Sequence, residues 1–308
     1  MTKLTLAIAA ATLCLTGAAF AQQQTTPPVG PDWSKIVVKT TDLGHRTYML
    51  EGQGGNVTIA VGDDGVIMVD GQYAPLHDKL KAAIAAVTPQ PVKFLVNTHY
   101  HRDHVGGNAP FSQDGATVVA HENVKKRLAS GATMLVPEAK IPPVPAEALP
   151  AKTYDGATGP VLEVKGRKAA LTHVLNAHTD GDTFVYFADA NVISTGDTVA
   201  MGRYPNIDFG NGGNIKGMIA ATDAYLALAN EQTKIVPGHG PLTNKAQLAE
   251  YRAMLVEVRD RMAKLIAEGK SLDDIYAAKP FADLDATVGG GEGPAKNYIR
   301  ALYANLKQ

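Results

Sequence analysis

Three histidines and an aspartate stand within six residues in His99-Tyr100-His101-Arg102-Asp103-His104. Imidazole nitrogens and carboxylate oxygens are donors for borderline-soft divalent cations, zinc above all, so a cluster this dense points to metal chemistry rather than to packing histidines. In extended chain His99 and His101 point the same way, while Asp103 and His104 lie beyond a bend. One ion cannot readily take all four, and two ions are expected. Each then needs a donor from elsewhere, and a further donor could bridge them. The sequence offers three: His178 in Ala177-His178-Thr179-Asp180-Gly181-Asp182, Asp197 in Thr195-Gly196-Asp197, and His239 in Pro237-Gly238-His239-Gly240. Singly, each is an ordinary small-residue turn. Together with the first cluster they form a specific set, because every one follows an apolar β-forming run.

The elements that must position these donors read as two β/α halves. Residues 35–39, 46–50, 57–61 and 66–69 are β-rich runs separated by Gly-rich or Asp-Gly turns, which predicts an antiparallel meander. A helix is expected over 77–87, a buried strand over 92–96, a strand over 117–120, and a helix from Glu122 that Gly131 can end. Five prolines between Met134 and Lys152 predict a loop or flap there. A second β-rich stretch follows over 161–164, 169–174, 183–187 and 192–194. Asn214 is placed to cap a helix, residues 233–236 form a short strand, and the chain from Asn244 onward reads as helical. Two packed sheets flanked by helices, in one domain over residues 33–308, is the architecture this order suggests.

The motif set HxHxDH, a His in an HTDGD turn, an Asp in TGD and a His in PGHG resembles the metallo-β-lactamase superfamily, in matching order from about Val37 to Gly240. The resemblance implies an α/β fold, the four-layer αββα sandwich, holding two zinc ions per chain, with iron or manganese as alternatives. It implies His99, His101 and His178 on one ion, Asp103, His104 and His239 on the other, and Asp197 bridging. Asp70, at a strand end, matches a position that supports the ligands from behind. His101 stands where the di-iron, oxygen-reducing branch has glutamate, which favours hydrolysis. A water between two zinc ions about 3.5–4 Å apart is acidified to a pKa near 7 and can attack a carbonyl as a bridging hydroxide. Asp103 and Asp197 would orient it and pass a proton.

The substrate is less sharply marked. Branches with a cysteine ligand carry it where Asp197 stands, usually with a lysine three residues on; here that residue is Ala200. Arg203 and Tyr204 are candidates for anchoring the substrate, and Asn211 and Asn214 for reaching its carbonyl. The expected activity is hydrolysis of a cyclic amide, a β-lactamase activity that would confer antibiotic resistance. The alternative is a lactonase or other ester or thioester hydrolase on the same dizinc site, and a different class is a catalytically silent metal- or partner-binding module. Residues 52–55 read as a mobile flap without a bulky aromatic. His45, His77, His121 and His173 are read as structural, and the GNGGN stretch at 210–214 as loop, because it lacks the strand and helix of a dinucleotide fingerprint.

Composition frames this reading. The chain has 308 residues, 45% hydrophobic, with 29 basic against 30 acidic side chains, which gives ample core and no electrostatic footprint for nucleic acid or an anionic membrane. Residues 1–21, with Lys3, an Ala-rich apolar run and Ala19-Phe20-Ala21, read as a signal peptide, and 22–32 as a flexible leader. The sole cysteine, Cys14, would leave with that peptide, so the mature chain is expected without thiolate or disulfide. A monomeric periplasmic or secreted enzyme acting on a small molecule, free of the membrane after cleavage, is the expectation.

Overall fold

The computed structural model describes residues 31–288 and 292–307; the expected signal peptide and most of the leader lie outside the described residues. The chain enters on a 3-10 turn, Trp33–Lys35, in which the Asp32 carboxylate accepts the Ser34 N–H. This corrects the expected strand over 35–39. The Asp32 side chain offers the backbone a local partner, and Lys79 Nζ takes the Ile36 carbonyl, which that strand would need, along with those of Trp33 and Ser34 just before it. The meander begins instead at β1 (Lys39–Gly44) and continues through β2 (Thr47–Glu51), β3 (Val57–Val61) and β4 (Val66–Val69). His45 and Arg46, both left-handed at φ 50° and 53°, form the two-residue turn between β1 and β2, whose twist matches that of the flanking strands.

From β4 the connections turn parallel. Helix α1 (His77–Ala85) leads to β5 (Val92–Val96), then α2 (Arg102–Val105) and α3 (Asn108–Gln113) to β6 (Thr117–His121), then α4 (Glu122–Ser130). Gly131, at φ 74°, ends α4 as expected. The proline-bearing stretch is not a plain loop. It holds a hairpin, β7 (Ala132–Leu135) with β8 (Glu138–Ile141), a 3-10 turn, and the start of β9 (Lys152–Tyr154). All five prolines fall in the connections, where no ladder hydrogen bond is lost.

The first sheet runs β1-β2-β3-β4-β5-β6-β9. The second contains β10 (Thr158–Val164), β11 (Arg167–His173), β12 (Thr183–Phe187), β13 (Val192–Ser194) and, after α5 (Ile215–Leu228), β14 (Lys234–Val236), paired in that order. Helices α6 (Lys245–Ala267), α7 (Leu272–Ala278), α8 (Ala282–Val288) and α9 (Glu292–Leu306) complete the chain. Asn214, Asn244 and Ser271 cap α5, α6 and α7 with their side-chain oxygens.

Three apolar layers make this the αββα sandwich. Between the sheets, Met49, Ile67, Val69 and Val96 meet Leu171, Val185, Phe187 and Val192. Outside the first sheet, Leu80, Ile84 and Phe111 cover Ile59, Met68 and Leu95. Outside the second, α5 to α9 cover Phe184, Ile193 and Ile235. The parallel pairs β4/β5/β6 and β13/β14 align the carboxyl ends of those strands. At the same edge Thr183 N–H donates to the Thr98 carbonyl and Thr58 Oγ1 to Ser194 Oγ, tying the two sheets together where the donors emerge.

Candidate metal centre

Each of the seven donors lies just beyond a strand. Asp70 and His99 to His104 follow β4 and β5, His178 sits in the turn between β11 and β12, Asp197 follows β13, and His239 follows β14. Backbone bonds lace these turns together: Gly71 N–H to the His104 carbonyl, Met201 N–H to that of His239, Asp208 N–H to that of His178. Gly238 is required by close approach, since a Cβ there would stand 2.1 Å from Asp197 Oδ1.

Two groups of donor atoms result among the described residues, each within 4.8 Å: His99, His101, His178 and Asp197, and Asp103, His104 and His239. Asp197 reaches across both. Its Oδ1 is 3.1 Å from His104 Nε2, and its Oδ2 is 3.4 Å from His239 Nε2 and 3.8 Å from His178 Nε2. Asp103 Oδ2 lies 3.1 Å from His239 Nε2. His178 Nε2 and His101 Nδ1 converge at 2.9 Å.

Hydrogen bonds behind the donors set which nitrogen each ring presents. His104 Nδ1–H donates to Asp70 Oδ2 at 2.8 Å, and His178 Nδ1–H to the Asn206 carbonyl at 2.6 Å. His99 Nδ1–H donates to Thr98 Oγ1, whose own proton goes to Asp70, at 3.0 and 2.8 Å. His101 is reversed: its Nε2–H donates to Asp208 Oδ2 at 3.1 Å, which leaves Nδ1 facing inward. Imidazoles held this way offer a lone pair of fixed direction, as metal ligation requires.

The electrostatics call for a cation. Burial drives His99 well below the usual imidazole range and His178 down to about 4, so both are neutral donors. Burial acts on His104 in the same sense, but the Asp197, Asp103 and Asp70 carboxylates outweigh it and hold that ring well above its usual value. Burial would raise Asp103 and Asp197; the imidazoles of His104 and His239 override it, bringing Asp103 to about 2 and Asp197 well below its usual range. His99 Nε2 is buried without a hydrogen-bond partner, and His104 Nε2 and Asp197 Oδ1 face each other at 3.1 Å without hydrogen-bond alignment. Unsatisfied buried donors converging around two carboxylates fit metal ions, which would replace the proton that His104 otherwise carries.

Three expected substrate contacts are committed elsewhere. Tyr204 is buried in the helical layer, its hydroxyl 2.6 Å from Asp285 and its ring stacked on Tyr298. Asn211 is buried, donating to Asp208 and the Thr133 carbonyl and accepting from Arg127. Asn214 spends its side chain on the α5 cap. In each case a polar side chain finds its partner within the fold. Arg203 is exposed and lines a cleft of about 250 Å³ with Pro137, Pro205 and Tyr298. The 52–55 turn is tied down rather than loose: Gly54 N–H bonds Gln72 Oε1, Gly55 N–H the Asp103 carbonyl and Asn56 N–H the Gly238 carbonyl.

Asp208 and Tyr100 escaped the sequence reading. The Tyr100 hydroxyl donates to the same Asp208 oxygen as His101, and Asn211 adds a third donor. A lone aspartate in a Pro- and Gly-rich loop carries no motif; only the contact with the HYH triplet reveals its role. His45, His77, His121 and His173 lie outside both donor groups.

A family model described as the metallo-beta-lactamase superfamily matches residues 50–239. The chain is 28% identical over 186 residues to the 2,4-dinitroanisole O-demethylase subunit alpha of Nocardioides sp. (strain JS1661), covering 59% of this chain and 48% of that one. It is 26% identical over 196 residues to a hydroxyacylglutathione hydrolase of Polaromonas sp., covering 60% and 66% respectively. The chain thus spans about half to two thirds of the curated relatives it matches. Among solved structures, a metallo-beta-lactamase from Pontibacter korlensis superposes with a TM-score of 0.56 at 18% identity, covering 71% of this chain and 98% of that one. The stereoselective inverting sec-alkylsulfatase Pisa1 from Pseudomonas sp. does so with a TM-score of 0.63 at 18% identity, covering 86% and 50%. At such identities these likenesses speak for the fold.

Proposed function

The chain belongs to the metallo-β-lactamase superfamily, whose members are generally hydrolases, and from that premise we propose that it is an exported dizinc hydrolase opening a cyclic amide such as a β-lactam. One observation carries the two-ion reading: the Asp197 carboxylate reaches nitrogens of both donor groups, at 3.1, 3.4 and 3.8 Å. His99, His101 and His178 would hold one ion, Asp103, His104 and His239 the other, with Asp197 between them. When bound, such ions supply Lewis acidity and a water acidified to near neutral pH. Asp103 and Asp197 would orient the attacking water, and Asp103, the more open of the two, would accept its proton and return it to the leaving nitrogen as the C–N bond breaks. His99, His101, His104 and His178, held from behind by their hydrogen bonds, would keep their direction throughout.

The hydroxyacylglutathione hydrolase relative favours a second reading, cleavage of an ester or thioester by the same residues. Hydrolysis of a chromogenic cephalosporin, a lactone and a thioester, at known zinc content and with or without chelator, separates the two. Chelator-sensitive cephalosporin turnover near a kcat/KM of about 10⁴ M⁻¹s⁻¹ supports the lactam reading. Turnover confined to the esters moves the assignment to them, and two bound ions without any turnover would leave a silent binding module. The same proposal places the mature chain in the periplasm or outside the cell as a monomer, which fractionation and sedimentation test.

A further inference from the structure

Helix α9 reaches back toward the metal centre, although it lies beyond residues 50–239, the segment matched to the superfamily. Tyr298, Ile299 and Leu302 bury one of its faces in the helical layer over the second sheet. Asn305, one turn further along, is buried as well, and both ends of its amide are spent on the segment that enters α5. Its Oδ1 accepts the Ile215 N–H at 3.0 Å, and its Nδ2 donates to the Gly213 carbonyl at 3.2 Å. Ile215 opens α5, so its N–H has no partner within that helix, and the Asn214 side chain is already committed to Lys216.

The segment held in this way is packed directly on the ligands of one ion. Gly213 N–H donates to the Asp208 carbonyl at 2.9 Å, Asp208 N–H to the His178 carbonyl at 3.0 Å and Asn214 N–H to the Ala177 carbonyl at 2.8 Å. The contact leaves no room for side chains: a Cβ on Gly213 would stand 2.4 Å from the His178 carbonyl oxygen, and one on Gly217, in the first turn of α5, 1.8 Å from that of Asn176. The same loop presents the Asn206 carbonyl to His178 Nδ1 and the Asp208 carboxylate to His101 Nε2. The other donor group is supported from elsewhere. Asp70 and Gly71 hold His104, and Asn56 holds the His239 turn through the Pro237, Gly238 and Gly240 carbonyls at 2.9, 2.7 and 2.9 Å.

We propose that Asn305 is a positioning residue for His101 and His178, so that α9 sets the affinity of the ion they share with His99 and leaves the ion at Asp103, His104 and His239 to its own supports. This rests on the two-ion reading above. Without the Asn305 amide, a buried N–H and a buried carbonyl lose their partners, and the loop that aims both rings is freed to shift.

Zinc titrated into the full chain against a competing chelator should resolve two equivalents. Asn305→Ala should weaken one of them about 5- to 50-fold and leave the other within about twofold. Cobalt(II) in place of zinc identifies which, because it displaces the proton resonance of the N–H on each imidazole it binds. Those of His99, His101 and His178 should change in the variant, and that of His104 should stay. Hydrogen exchange in the metal-free chain reads the same linkage without an ion: the Ile215, Gly213 and Asp208 amides should all exchange faster. Asn305→Asp keeps an acceptor for Ile215 but no donor for Gly213, so it should give a smaller change of the same kind, and it carries the test should the alanine variant not fold. Ile84→Val trims the core outside the first sheet, controls for lost stability, and should leave both equivalents as they are. Equal weakening of both equivalents, no weakening of either, or the same selective loss in Ile84→Val would overturn the assignment. Faster exchange through to Asp208 in a chain whose wild type binds fewer than two ions would uphold the brace and remove the two-ion reading. Two bound ions with exchange at Asp208 unaltered in the variant would do the reverse.

Discussion

Asp70 accepts the Nδ1 proton of His104 at 2.8 Å while also binding the backbone N–H and the hydroxyl of Thr98, so one carboxylate braces two imidazoles. It does so from a left-handed backbone position, φ 62°, directly after β4. Such a conformation persists in a non-glycine residue when the surrounding contacts over-determine it. In Asp70→Asn the amide retains the shape but not the charge that directs His104 and, through Thr98, His99. Metal affinity and turnover are expected to fall about 10- to 100-fold with the fold retained. Chelator competition alongside circular dichroism checks both halves of the statement.

Asp197→Ala removes the carboxylate that reaches both donor groups. The chain should then lose one equivalent of metal and most of its turnover while folding normally. Unchanged stoichiometry in the purified variant would show that Asp197 does not join the two groups. His121→Ala, outside both groups, should leave metal content as it is.

Gly55 lies against the His104 ring, where a Cβ would stand 2.1 Å from Cε1. His104 is buried and braced by Asp70, so it cannot swing aside cheaply. Gly55→Ala should displace the ring, cost about 1–3 kcal/mol of stability by overpacking, and lower metal occupancy. Denaturant midpoints and metal analysis on the same preparation test it.

Asn211→Ala distinguishes two roles for that side chain. Asn211 braces Asp208, which in turn orients His101. Metal affinity and kcat should therefore fall together, with the ranking of substrates unchanged. A changed ranking with full metal content would return Asn211 to the substrate.

His121 and His173 stack face to face at 3.8 Å across the two sheets, with Tyr154 against the His121 ring. Burial, then the neighbouring ring, pushes His121 down to about 4; burial lowers His173 as well. Glu122, Asp180 and Lys126 are the charged groups facing His121, and Asp180 the one facing His173. Both imidazoles therefore take up protons in the unfolded chain before the folded one does. Stability should therefore fall as pH drops through the window between the ordinary imidazole value of about 6.5 and the depressed value of about 4 at His121. His121→Phe keeps a ring in the stack without a proton site, so its denaturant midpoint should depend less steeply on pH over that window. An identical slope in the variant would remove His121 as a cause.

The donors were legible because metal chemistry restricts residue type so strongly: five histidines and two aspartates in small-residue turns stand out against any background. Helix starts at Asn214 and Asn244 were legible for a similar reason, since a cap is a local bond between neighbours. The first strand was misplaced because its competitor, Lys79, is 43 positions from Ile36 in the chain and reaches that carbonyl only after folding. The 132–141 hairpin was missed because prolines count against a strand in sequence, whereas in space they fall just outside its ladder. Asp208 and the brace on the 52–55 turn belong to the tertiary structure alone. Each acts through contacts across the fold, Asp208 on His101 from 107 positions away and Gly238 on Asn56 from 182. Composition and spacing determined which atoms could bind metal; packing the two sheets face to face decided which nitrogen His99, His101, His104 and His178 present, and which polar side chains are left for a substrate.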